Sequence, residues 1–329
     1  MPSPTEKIAP LQDRAGRSVP LTLFLGLGLL ILLETLLFLD LRLSGRGAIH
    51  ADHDVLLLTV PVGWLAQAAR FVAFNLTPLA WGAFMVFMDG VMELGKNGSP
   101  IRRRPHHFLC LALASVFIWC VFDWINFYFI NAWTYIGMNA GFGDRFLGYF
   151  LAFATIVPGM LLCGQLLLER GWFNWARSPA WRMPRWAKYV ALACGCAMFA
   201  WPLASRNPIS NYTLWTSLVF LLDPINLKLG RPSMFRDWQN GWYGRTLAAC
   251  AGGLCCGFLW EFWNYWALSK WVYHLPFLGR MENYRYFEMP LPGLLGFLSF
   301  GMECWVMWQT MRILLDGLVE PLPNERTLL

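Results

Sequence analysis

The chain has 329 residues, 57% of them hydrophobic and 14% charged, with a mean hydropathy of +0.43 and a formal net charge of +6. Soluble domains carry about a quarter charged residues, so a soluble fold is excluded in favour of an all-α, polytopic transmembrane helical bundle of about eight to nine spans. The positive charge marks no nucleic-acid surface, because the basic residues fall in loops between apolar runs, where membrane topology accounts for them.

In chain order, residues 1–20 read as an N-terminal tail carrying Lys7, Arg14 and Arg17. The run "LTLFLGLGLLILLETLLFLDL" (21–41) follows. It is too long for a signal-peptide core and lacks a clean cleavage site, so it is expected to be a retained first span, with the lone acid Glu34 inside it. The stretch "HADHD" brings His50, Asp52, His53 and Asp54 together; such spacing suits a metal but is also ordinary loop composition, and no metal site is assigned. Segment 55–71 is short, holds Pro61 and ends near Arg70. It reads as a helix lying at the membrane interface, which gives eight spans, or as a ninth span. Further spans are expected at 76–94, 108–130, 146–168, 187–204, 211–228, 246–268 and 290–314. Residues 21–317 thus form a single transmembrane domain, and 318–329 a C-terminal tail.

One set of loops carries Lys96, Arg102, Arg103, Arg104, Arg170, Arg177, Arg182, Arg185, Lys188, Lys228, Arg231, Arg236 and Arg245. The opposite set from residue 95 onward has only Arg145, Arg206, Lys270, Arg280 and Arg285. The positive-inside rule makes the first set cytoplasmic. The C-terminus is then cytoplasmic, in an integral protein of a plasma (inner) membrane. The nine cysteines all lie in apolar runs without a CxxC pair and read as small buried side chains. Many of the 19 tryptophans sit at span ends, as interfacial anchors do.

Two segments echo each other: "FDWINFYFINAWTY" (122–135) and "WEFWNYWALSKWVY" (260–273). At an offset of 138 residues, Asp123 aligns with Glu261, Asn126 with Asn264, Trp133 with Trp271, Tyr135 with Tyr273, and Gln165 with Glu303. Upstream, at an offset of 134, Trp81 and Asp89 align with Trp215 and Asp223. The expectation is a parallel internal repeat with halves 55–170 and 187–315, in which span 187–204 completes the first half as its fourth crossing. Asp89 and Asp223 fall near span ends and read as capping or water-exposed groups, with Pro224 as a helix-ending or turn signal.

An ionisable residue inside a span costs about 2.5–3.5 kcal/mol on insertion scales and usually faces the bundle interior. Asp123, Asn126, Glu261, Asn264 and Glu303 are therefore the candidate substrate- or ion-binding residues, against the alternative that they only fix helix packing. Gly253, Gly257 and Glu261 share one helix stripe, and Gly296, Ser299 and Glu303 another. These stripes predict that spans 246–268 and 290–314 pack along their glycines and that Glu261 and Glu303 line one cavity. In the first half Trp119 stands where the second has Gly257. Trp260, Trp263 and Trp266 offer an aromatic cage. A loop with His274, Arg280, Glu282, Arg285 and Glu288 follows as a candidate cap.

No P-loop, GxGxxG, HExxH or GxSxG motif occurs, and no cofactor is implied. The expected partners are membrane lipids and a small-molecule or lipid substrate, with no nucleic acid. The tandem carboxylate-bearing spans resemble the general plan of membrane carotenoid cyclases, a resemblance that carries no residue assignments. Three functions fit these residues. One is a proton- or cation-coupled transporter in which the carboxylates bind the ion and the asparagines the substrate. The second is an intramembrane enzyme acting on a lipid or isoprenoid by carboxyl acid/base chemistry. The third is a non-catalytic sensor or assembly subunit.

Overall fold

The computed structural model describes residues 19–95, 97–138, 141–205, 210–275, 281, 283–319 and 327–329. Most of the tail 1–20, Lys96, Arg206, Arg280, Glu282 and much of the tail 318–329 lie outside the described residues. In hydrocarbon, a backbone polar group finds no water, so an apolar run is driven to satisfy itself as helix. The chain does so in α1 (Leu21–Ser44), the short α2 (Asp52–Leu56), α3 (Trp64–Phe74) and α4 (Leu76–Glu93). Next come α5 (Pro100–Arg103) and α6 (Pro105–Ile125), which runs on as a π-helical turn, Asn126–Ile130. A first strand, β1 (Trp133–Ile136), precedes α7 (Phe142–Phe153), α8 (Ile156–Glu169), α9 (Ala187–Ser205), α10 (Asn211–Lys228) and α11 (Met234–Gln239). The chain closes with α12 (Gly244–Trp266), β2 (Lys270–Tyr273), β3 (Arg285–Tyr286), β4 (Met289–Pro290) and α13 (Leu294–Leu314).

Among the described residues, six helical runs are long and apolar enough to cross a membrane: α1, α6 with its π turn, α7 with α8, α9, α12 and α13 with the 3-10 turn before it. They coincide with six of the expected spans. The expected span 76–94 is α4, which meets α3 at an 83° bend; counting that pair as one span makes seven. The expected span 211–228 is α10, where Asn211, Asp223, Asn226 and Lys228 dilute the apolar character, and it is not among the six. Pro224 does not end this helix, which continues to Lys228. Segment 55–71 is not one helix. Between α2 and α3 the chain is irregular, with Gly63 at φ +89°, and Leu56, Leu57, Val60, Val62 and Trp64 are largely exposed. An exposed apolar loop next to a half-buried helix suits the headgroup boundary.

The bundle is built around α12, which packs between α8 and α13. Close approach explains its glycines. A Cβ on Gly253 would stand 2.1 Å from the Phe297 carbonyl oxygen, and one on Gly301 2.1 Å from that of Ala249. On the other flank, a Cβ on Gly252 would stand 2.2 Å from the Met160 carbonyl oxygen. The predicted seam between α12 and α13 is therefore present at Gly253 and Gly257, but α13 meets it with Phe297 and Gly301. Gly296 has open space around it, so the Gly296–Ser299–Glu303 stripe is not the contact surface. Small residues admit a second backbone only on the side where one is present.

The β-strands were not expected. β1 and β2 pair antiparallel in the register Trp133↔Tyr273, Thr134↔Val272, Tyr135↔Trp271, Ile136↔Lys270. The chain turns out of α6 at Asn131, in the left-handed region (φ 46°), and out of α12 at Ala267, which is extended. The residues that follow are the aromatic and β-branched types that fit a pleated surface.

Candidate site beneath an aromatic ribbon

Successive residues of a strand point to opposite faces, so Trp133, Tyr135, Trp271 and Tyr273 share one face of the β1–β2 ribbon. Asn126 and Asn264 hold the ribbon. Asn126 Oδ1 accepts from the backbone N–H of Ala132 (2.8 Å) and Trp133 (3.2 Å), while its Nδ2 donates to the Trp133 carbonyl (2.8 Å). Asn264 Nδ2 donates to the Trp271 carbonyl (2.8 Å) and its Oδ1 accepts from the Trp271 N–H (3.0 Å). Both side chains are fully buried. Both amides thus bond the backbone of the ribbon and position it.

One turn back, each acid takes the hydroxyl of the tyrosine on the strand that follows its own helix. The Tyr135 hydroxyl donates to Asp123 (2.9 Å to Oδ1, 3.1 Å to Oδ2), and Trp133 Nε1 donates to Oδ1 (3.1 Å). The Tyr273 hydroxyl donates to Glu261 Oε1 (2.9 Å), and Trp271 Nε1 donates to the Tyr273 oxygen (2.8 Å). Glu261 Oε2 is buried without a hydrogen-bond partner. The two arrangements differ because Trp119, opposite Gly257 in the alignment, donates its own Nε1 to the Tyr135 oxygen (3.2 Å). Burial pushes both phenols well above the usual tyrosine range, so they remain neutral donors.

The aromatic face roofs an open-mouthed cavity. Its walls are Trp119, Tyr149, Phe153, Trp215, Trp260, Phe297 and Phe300, with Asp144 and Arg145 also on its lining. Asp123 and Glu261 stand behind their tyrosines and do not themselves line it. Of the proposed cage, only Trp260 reaches the cavity. Trp263 packs edge-on against Trp81 and donates to Glu34 Oε1 (2.7 Å), giving that lone acid a partner, and Trp266 packs against Tyr265 and Phe287.

Glu303 does not join this site. Since Gly253 lies level with Phe297 and Gly301 on antiparallel helices, Glu261 and Glu303 are separated by about 18 Å along the bundle axis at the helical rise per residue. Glu303 Oε1 instead accepts from the Leu218 N–H of α10 (2.9 Å), and its Oε2 is buried without a hydrogen-bond partner. The expected shared cavity is therefore not formed, because the contact surfaces fix these two levels far apart.

The remaining candidates serve structure. Asp223 accepts from Ser233 Oγ (2.8 Å) and from the N–H groups of Met234 (3.1 Å) and Phe235 (2.8 Å), capping α11 as expected. Asp89 accepts from Ser99 Oγ (2.5 Å), the residue that caps α5. The "HADHD" side chains do not meet at one point: Asp52 accepts from the Gly137 N–H (2.7 Å), Asp54 accepts from those of His50 and Ala51 and lies beside His53, and His50 faces Glu288. No cluster of metal-ligating side chains occurs among the described residues. The ribbon was missed by sequence reasoning, although the alternation Trp133-x-Tyr135 and Trp271-x-Tyr273 was its signal.

Comparison with protein-family models, with curated proteins and with solved structures found no match. The apolar helices define the class, a helical membrane protein rich in aromatic clusters.

Proposed function

We propose that this protein is an intramembrane catalyst that moves protons on an apolar lipid, with an isoprenoid as the substrate class. The observation that carries this reading is the pair of acid-backed tyrosines facing an aromatic-walled cavity. Such walls suit a hydrocarbon chain, and ring faces attract cationic character developing on it. The two acids divide the work. Glu261 receives one side-chain hydrogen bond, and its Oε2 has no side-chain partner, room for the proton of a carboxylic acid; it supplies a proton through Tyr273 to a double bond, the phenol turning its own proton to the substrate as it takes that of Glu261. Asp123 receives two donors, the Trp133 indole N–H and the Tyr135 hydroxyl shared between its two oxygens, as an anion would; it takes a proton from a neighbouring carbon through Tyr135. One proton is added and one removed, so the net reaction is an isomerisation or ring closure and needs no redox partner.

The test is the lipid extract of cells expressing the chain, resolved by mass spectrometry and chromatography. Asp123→Asn and Glu261→Gln should each abolish a product isomer that the wild type forms. An extract identical in all three strains refutes the reading.

The same reading takes the chain as eight crossings in two parallel halves, ribbon outside and C-terminus cytoplasmic. What supports it is recurrence. α1 packs on α4 as α9 packs on α10, which makes α9 the first crossing of the second half rather than the last of the first. Trp81 packs on Trp260, and Trp215 on Phe122, the residue aligned with Trp260. A transporter that rocks one half against the other draws on this recurrence too. Against it, the ribbon joins the halves by ladder hydrogen bonds that rocking would break. Proteoliposomes decide between them: substrate flux driven by a pH gradient and lost in Glu261→Gln would favour transport.

A further inference from the structure

A charge cluster at the ribbon-side end of α12 is not used by the chemistry above. Lys270, the first residue of β2, is 1% exposed, and its ammonium lies 2.5 Å from Glu288 Oε1. It also donates to the Tyr265 carbonyl (3.2 Å) and rests over the Tyr265 ring. Glu288 is itself 2% exposed, and its Oε1 lies 3.2 Å from His50 Nδ1, on a side chain that is 57% exposed. Arg285 donates to the Glu288 carbonyl, and Arg46 adds positive charge near Lys270. Met289, the next residue, turns its backbone N–H toward the Glu261 carboxyl, which also feels the charges of Glu288 and Lys270.

A buried ion pair is a costly way to hold two loops together, since desolvation offsets most of its attraction. Burial pushes the Lys270 ammonium below the usual lysine range, which eases its release of a proton. Glu261 needs such a neighbour. It is fully buried, and its one hydroxyl partner faces an aromatic cavity rather than water.

We propose that His50, Glu288 and Lys270 form a proton inlet joining water on the ribbon side to Glu261. The inference rests on the reading of Glu261 as the acid. A proton taken from water by the exposed imidazole passes to the Glu288 carboxylate and then to Lys270, whose four-carbon arm must swing from Glu288 to deliver it to Glu261, so that each group ends the cycle as it began. His50 is the gate, because it is the only one of the three with a largely exposed side chain.

The experiment is infrared spectroscopy on the full chain in lipid nanodiscs, without substrate. The protonated-carboxyl band of Glu261, identified by its loss in Glu261→Gln, shifts when D2O replaces H2O. The rate of that shift should fall at least ten-fold in His50→Ala and in Glu288→Gln. A rate equal to wild type in His50→Ala overturns the inlet, and that exposed position decides even if Glu288→Gln fails to fold. Absence of a Glu261 band at every pH overturns it as well. Since no turnover is measured, the inlet can fail while the lipid products persist, and the products can be absent while exchange still runs through His50.

Discussion

Asn126→Ala should unfasten the ribbon while sparing the bundle. The substitution deletes three hydrogen bonds to Ala132 and Trp133, residues that are 4% and 3% exposed. Each bond is worth about 1 kcal/mol net, and a buried group left without its partner costs about 1–3 kcal/mol. Taking the lower figure for all three gives about 3 kcal/mol, which corresponds to roughly 150-fold in the opening equilibrium of the segment. Amide hydrogen exchange in nanodiscs measures this locally. Protection should fall at 132–136, and also at 270–274, because the β1–β2 ladder and the His274 N–H to Ala132 carbonyl bond couple the two segments. The helical amides of α8, α12 and α13 should be unchanged. Wild-type exchange in both strands would refute the claim that this amide is a clamp. Loss of protection across the whole bundle would refute its locality.

Glycine positions separate seam from surface: Gly301→Ala should destabilise by about 1–3 kcal/mol or more through overpacking, whereas Gly296→Ala should leave the midpoint of thermal unfolding in detergent near wild type. Equal midpoints for the two would contradict the seam. Tyr273→Phe should cut formation of the lipid product by about 100-fold or more, the usual share of a positioned acid, with an unchanged melting profile; retained product would remove the tyrosine from the proton path. Lys270→Met alone should cost about 3 kcal/mol, because it leaves the buried Glu288 with only the largely exposed His50 beside its carboxylate, and adding Glu288→Met should recover most of it. A double variant no more stable than the single one would refute the claim that the unpaired Glu288 is what costs stability.

The amino-acid sequence by itself determined the class and most of the helices. Long apolar runs in a charge-poor chain have only one way to satisfy their backbone in lipid, and α1, α6, α9, α12 and α13 fall where that argument puts them. It also marked Asp123, Asn126, Glu261 and Asn264, because polar groups amid apolar neighbours are costly and so stand out. Their partners were hidden. Whether an asparagine clamps backbone or meets a ligand depends on where the next ten residues go, and that path is completed only when each strand pairs with the other, far away in the chain. Only the tertiary structure joined the two echoes into one ribbon and set Trp263 on Glu34. It likewise moved Glu303 away from Glu261, because the level at which α13 meets α12 is chosen by the fit of Gly253 to Phe297 and Gly301. Periodicity says which side of a helix is small; the depth at which a partner settles into that side is a property of both surfaces together.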